Sequence, residues 1–172
     1  EKAVKVSKKG REKAVALNNL GVALSRWAEL IEGKEPEEAR KKYECAIECY
    51  DRALEINPNY AEAWYNKGNT LYGLGRYEEA IGCFDKALKI NPNYAEAWNN
   101  IGNALNKLRR YEEAIGCFDR ALEINQNYAE AWNNIGNILY ELGRYEEAIG
   151  CYDKALKINP NYAEAWYNKD MY

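Results

Sequence analysis

The sequence predicts an all-α solenoid built from antiparallel helix pairs. Three observations carry that expectation. Near-identical segments recur every 34 residues. Apolar side chains inside each segment recur at helical spacing, and turn residues punctuate each segment twice. The full copies are NPNYAEAWYNKGNTLYGLGRYEEAIGCFDKALKI at 57–90, NPNYAEAWNNIGNALNKLRRYEEAIGCFDRALEI at 91–124 and NQNYAEAWNNIGNILYELGRYEEAIGCYDKALKI at 125–158. A partial copy, NPNYAEAWYNKDMY, fills 159–172 and supplies a first helix only.

Taken in order, residues 1–11 form a basic lead-in, with six Lys or Arg in the first 13 positions. Such a run is either a solvated start or an arm for an acidic partner. Residues 12–56 form an atypical helix pair. From Gly21 to Ala46 is 25 residues, where Gly68 to Ala80 needs 12. The 13 extra residues lie in RWAELIEGKEPEEARKKYE, whose ends favour helix and whose Pro36 suits a helix first turn. Two lengthened helices joined near Gly33–Pro36 are expected. They form either a docking feature or an extension with its own packing, through Trp27, Leu30 and Ile31.

Each repeat is numbered here from the Ala after its Tyr, that is Ala61, Ala95, Ala129 and Ala163. In the second full copy the apolar or small positions of the first helix are Ala97, Trp98, Ile101, Gly102, Ala104, Leu105 and Leu108. At about 100° per residue they gather on one side. The second helix offers Ala114, Ile115, Phe118, Ala121, Leu122 and Ile124. Asn93 with Glu96 predicts a capping box for the first helix. Gly75 and Gly143 sit where a left-handed residue ends that helix, and Arg109 occupies the same place. Glu78 and Glu79 complement the dipole of the second helix. Pro58, Pro92 and Pro160 mark the turn into the next unit. Gly82, Gly116 and Gly150 fall mid-helix, where close helix packing or a smooth contact surface explains them.

These residues resemble the tetratricopeptide repeat (TPR) family. Trp64, Gly68, Ala80, Phe84, Ala87 and Pro92 match in the first full copy. Trp98, Gly102, Ala114, Phe118 and Ala121 match in the second, and Trp132, Gly136, Ala148, Tyr152, Ala155 and Pro160 in the third. The resemblance covers about residues 12–172, with Leu17, Leu20, Gly21, Ala46, Tyr50, Ala53 and Pro58 fitting in the N-terminal unit. It implies a right-handed superhelix whose first helices line a concave groove.

The first helix carries a second pattern. Positions 2, 5, 6, 9, 12 and 13 share an arc of about 120° opposite the apolar stripe. An ordinary solvated face would hold Glu, Lys, Arg and Gln. This one holds Asn and Tyr: Asn19, then Tyr65, Asn66, Asn69 and Tyr72, then Asn99, Asn100, Asn103 and Asn106, then Asn133, Asn134, Asn137 and Tyr140, and finally Tyr167 and Asn168. The resemblance places these side chains in the groove. There an amide, both donor and acceptor, pairs with the main chain of an extended peptide. The other reading is that the amides bond to one another between neighbouring helices and stiffen the stack. Glu62, Glu96 and Glu130 are then caps. Some TPR modules grip a C-terminal carboxylate with Lys and Arg at positions 2, 5 and 6. Here those positions hold Glu, Asn or Tyr, which predicts against that ligand class.

Composition bounds the remaining functions. Net charge is −3 with both signs interspersed, which argues against a nucleic-acid partner or a membrane surface. No apolar run reaches membrane-spanning length, and no signal peptide is visible. The chain has no His and five Cys, four of them spaced by 34 residues and none in a C-x-x-C pair. Reduced thiols packed as small hydrophobes and a cytoplasmic setting are expected. Without His, a phosphate loop or a nucleophile motif, an enzyme is not expected, and neither is a cofactor or metal. The leading function is a protein-interaction scaffold binding an extended peptide or partner segment. The alternative is a structural unit stacking end to end through its C-terminal helix, which would make a homo-oligomer.

Overall fold

The computed structural model describes residues 6–170, so the lead-in's first five residues and the last two of the chain lie outside the described residues. The described residues form nine helices and no strand. They are α1 Lys8–Ile31, α2 Pro36–Ile56, α3 Ala61–Gly73, α4 Tyr77–Ile90, α5 Ala95–Lys107, α6 Tyr111–Ile124, α7 Ala129–Glu141, α8 Tyr145–Ile158 and α9 Ala163–Asp170. They divide into two compact units, one ending at Pro92 and the other beginning at Asn93.

In the first unit, α1 pairs with α2 and α3 with α4, while α3 also packs on α2. Ser7 starts α1 by accepting a hydrogen bond from the Gly10 amide at 3.1 Å. That start places Lys8 to Arg11 of the basic segment inside the helix. The lengthened α1 and α2 turn at Glu32–Glu35, with Pro36 opening α2. Each pair closes on one aromatic ring. A Cβ on Gly21 would stand 2.6 Å from Tyr50, and one on Gly68 2.5 Å from Phe84. The absent side chain is thus the socket for a ring. Phe84 is fully buried, and truncating such a ring costs about 3–5 kcal/mol.

The second unit repeats the device. Phe118 fills the space at Gly102, Tyr152 fills that at Gly136, and α7 lies on α6 as α9 lies on α8. At α9 the socket position is Asp170, and no second helix follows among the described residues.

The turn within each of the pairs α3/α4, α5/α6 and α7/α8 is a Schellman motif. Gly75 has φ 74° and donates to Tyr72 C=O at 2.9 Å, while the Arg76 amide donates to Leu71 C=O at 2.9 Å. Gly143 repeats this with φ 74°, and Arg109 takes the same conformation at φ 59°.

Two local expectations are corrected. The residue capping α5 is Tyr94, not Asn93, and no side chain caps it. The Tyr94 carbonyl accepts from the Ala97 and Trp98 amides, so the helix starts one residue later than a capping box requires. Asparagines at two of the repeat junctions fold the loop instead: Asn125 accepts from the Asn127 amide and Asn159 from the Asn161 amide. The mid-helix Gly82, Gly116 and Gly150 are not there for close packing. They are exposed, and a Cβ at any of them meets nothing within 4 Å.

Candidate functional site: asparagine ladders on the first helices

The sequence-predicted site residues lie on α1, α3, α5, α7 and α9. The structure separates them by depth.

On α5 and α7 of the second unit, position 5 is buried. Asn99 and Asn133 are 0% exposed. Asn99 Nδ2 donates to Glu130 Oε1 on α7 at 3.0 Å, and Asn133 Nδ2 donates to Glu164 Oε1 on α9 at 3.2 Å. The returning bonds come from position 6. Asn134 Nδ2 donates to Asn99 Oδ1 at 3.3 Å and to Asn103 Oδ1 at 3.0 Å. One repeat later, Asn168 Nδ2 donates to Asn133 Oδ1 at 3.2 Å and to Asn137 Oδ1 at 2.9 Å. The same four-residue rung is therefore built twice in register. Buried amides joined this way are satisfied, and a satisfied network rigidifies the elements it bridges.

Asn99 and Asn133 thus point into the seam between neighbouring first helices and not toward an open face. The 120° arc is the reason: its edge positions meet the adjacent helix, which a single-helix projection omits. Asn100, Asn103, Asn134, Asn137 and Asn168 are partly exposed along the seam, as is Asn106 farther down α5. Tyr152 OH donates to Asn137 Oδ1 at 3.0 Å, so the ring that fills the Gly136 socket also orients a ladder amide.

In the first unit the rung is shorter. Asn66 Nδ2 donates to Asn18 Oδ1 at 3.0 Å. Asn18 is fully buried, and its own Nδ2 lacks a hydrogen-bond partner. The register equivalent of its acceptor is Glu62, which does not reach it. Below this rung, Ser25 Oγ and Thr70 Oγ1 stand 2.7 Å apart, beside the buried Tyr50 hydroxyl. A cavity of about 200 Å³ opens there, lined in part by Arg26, Glu29, Asn66 and Asn69.

The predicted tyrosines differ among themselves. Tyr65 packs on Phe84 with ring centroids 5.8 Å apart, Tyr72 on Tyr77 at 5.2 Å and Tyr140 on Tyr145 at 5.2 Å. Burial raises the Tyr72 phenol above its ordinary value, with Tyr77 adding to the effect. Tyr167 on α9 stands 66% exposed. Asn19 is exposed on α1, away from the Asn18 rung.

Sequence reasoning missed Asn18; it placed the position 2 glutamates on the polar arc and, in the reading where the amides bond to one another, left them as caps. The signal for the glutamates was present. Glu130 follows Asn99 by 31 residues, one repeat less one helical turn, the spacing of neighbours on adjacent first helices.

The tetratricopeptide repeat profile matches residues 61–94, 95–128 and 129–162, and a further TPR repeat profile matches 39–75. The chain belongs to the tetratricopeptide repeat family. No curated protein matches it. Among solved structures, it is similar to MamA, at 26% identity and a TM-score of 0.70 over 80% of each chain. It is also similar to the first TPR of Spaghetti (RPAP3), solved bound to the HSP90 peptide SRMEEVD. Identity there is 28% and the TM-score 0.62, over 64% of this chain and 88% of that one. The Arabidopsis OM64 TPR domain matches at 25% identity and a TM-score of 0.61, over 64% of this chain and 92% of that one. The profile's frame starts at Ala61, so each TPR comprises a first helix, a second helix and the following junction. The ladder asparagines lie on the first helix of each TPR.

Chemically the site offers amides, carboxylates and phenols that donate and accept hydrogen bonds. Among the described residues no group of side chains is arranged to hold a metal, and no helix is long and apolar enough to cross a membrane.

Proposed function

We propose that the protein is an interaction scaffold that binds an extended peptide or partner segment along the first helices of its TPRs. One observation supports this most: the ladder fixes the direction of the position 6 amides of Asn134 and Asn168. Asn134 uses its two N–H donors on Asn99 and Asn103, which turns its Oδ1 into the group offered to a guest. Glu130, holding Asn99 through one oxygen, adds its other oxygen to the same face. Such a face accepts N–H donors, which every extended backbone supplies. It suits an acidic C-terminus poorly, because positions 2, 5 and 6 carry no Lys or Arg.

The test is a phage-displayed peptide selection on the wild-type chain beside an Asn66→Ala/Asn100→Ala/Asn134→Ala variant. Sequences should be enriched on the wild type and lost from the variant while the variant stays helical. Equal enrichment on both proteins would sink the groove reading.

A second reading, end-to-end stacking of copies through α9, is favoured by Trp166 and Tyr167, exposed by 45% and 66%. Light scattering with and without residues 159–172 tests it. A wild-type species heavier than a monomer that reverts on truncation supports stacking, and a monomer in both cases removes it.

A further inference from the structure

The helices of this chain show which face of a first helix receives a preceding second helix. Position 3 of α9, Ala165, packs with Ala155 and Leu156 of α8. Position 7 of α3, Lys67, pairs with Asp51 of α2, and position 7 of α9, Lys169, pairs with Asp153 of α8. Position 14 after α3, Leu74, packs against Tyr43 of α2. On α7, which lies on α6, positions 3, 7 and 10 are Ala131, Ile135 and Ile138, exposed by 0, 5 and 0%.

On α1 the same register is apolar and open. Gly21 aligns with Gly68, since both are ring sockets, and this sets positions 3, 7, 10 and 14 as Ala16, Leu20, Ala23 and Trp27. Leu20 is 50% exposed and Trp27 51%, and Leu30, one turn on, is 81% exposed. Lys42 lies over the Trp27 indole at 4.2 Å from its centroid. A concavity of about 480 Å³ runs beside this stripe, lined by Asn19, Val22, Ala23, Arg26, Trp27 and Leu30. Toward the start of the helix the line continues as Lys9 and Lys13, both exposed.

We infer that this face of α1 is a docking site for an amphipathic helix of another protein that imitates a TPR second helix. The register identifies the kind of occupant, because the surface continues an interface that this chain builds three times internally. It also fixes polarity. Each second helix runs antiparallel to the first helix that follows, so the partner's C-terminal end lies beside Lys9 and Lys13. Acidic side chains in the partner's last turn and its helix dipole then meet two cations. Of this chain's own helices, α6 is the nearest template: it covers an all-apolar register on α7 and carries Asp119 and Glu123 in its second half.

The probe is a fluorescein-labelled, hydrocarbon-stapled peptide with the sequence of residues 111–124, titrated into the whole chain and followed by anisotropy. Saturable binding is expected. It should weaken about tenfold or more in a Leu20→Glu/Trp27→Glu variant. Binding should also fall with added salt through Lys9 and Lys13, and it should persist in Asn66→Ala, whose side chain lies on the ladder. Leu20 and Trp27 are half exposed, so circular dichroism should show the variant still folded. A Leu30→Glu variant repeats the test where the double variant does not fold. No binding, or binding unaffected by these changes, overturns the inference. So does wild-type self-association abolished by Leu20→Glu, which would make a second copy the occupant. Loss of binding in Asn66→Ala alone would overturn it while leaving the ladder reading intact.

Discussion

At the scale of the residue, the clearest irregularity is Arg109. Its φ of 59° is the left-handed conformation that Gly75 and Gly143 adopt at φ 74°. A Cβ there costs about 1 kcal/mol against the following carbonyl. Both Schellman bonds are nevertheless made, from the Arg109 amide to Asn106 C=O and from the Arg110 amide to Leu105 C=O, each at 2.9 Å. The turn is thus formed in full and strained at one residue. Arg109→Gly should raise the melting temperature by about 2–4 °C, the usual equivalent of 1 kcal/mol in a chain of this length. A differential scanning measurement showing no rise would mean that the greater freedom of glycine in the unfolded chain offsets the relief. The other glycines divide by what surrounds them. Gly102 is a socket in which Phe118 would meet a Cβ at 2.6 Å, whereas Gly116, two residues before that ring, faces open space.

At the scale of the element, most of the fold was legible because the repeat supplies its own control. The period, the apolar stripe and the turn residues all specify a helix pair, and three copies in register leave little room for another assignment. The lengthened α1 and α2 were legible from the excess spacing between Gly21 and Ala46. The candidate site was legible only in part. A helical projection finds Asn99, Asn100 and Asn103 on one arc, but whether an arc position meets solvent or the next helix is decided by stacking. That is a property of two repeats together. Asn99 therefore reads like Asn100 in sequence and differs from it entirely in depth. The capping box failed for a related reason. Asn93 and Glu96 have the right spacing, yet the Tyr94 carbonyl already receives the first-turn amides. The exposed stripe on α1 was invisible for the opposite reason: Leu20 and Trp27 have the pattern of buried positions, and only the structure shows that nothing within the described chain covers them.

At the scale of the whole molecule, stability is tied to alkaline pH through tyrosine. The chain has 15 tyrosines, and burial drives three of them far from their ordinary range. The phenols of Tyr43, Tyr152 and Tyr162 are each pushed up to about 12, with nearby carboxylates adding to burial at Tyr43 and Tyr162. The unfolded chain ionises its tyrosines near pH 10. Above that pH the unfolded state releases protons that these three native phenols retain, so the unfolded state gains stability relative to the native one. The contribution is fully present below pH 10 and is lost as pH rises from about 10 to about 12. Melting temperature followed by circular dichroism should fall steeply across that window. Tyrosinate absorbance should rise in two steps, exposed phenols first and the phenols raised by burial together with unfolding. Tyr152 isolates the effect, because Phe84 and Phe118 fill the equivalent sockets without a hydroxyl. Tyr152→Phe loses the bond to Asn137 and should cost about 1 kcal/mol at neutral pH. It should also make the alkaline fall shallower than in the wild type, since one titrating group is gone. Parallel falls in the two proteins would show that the alkaline loss comes from other groups and not from the ring that anchors the ladder.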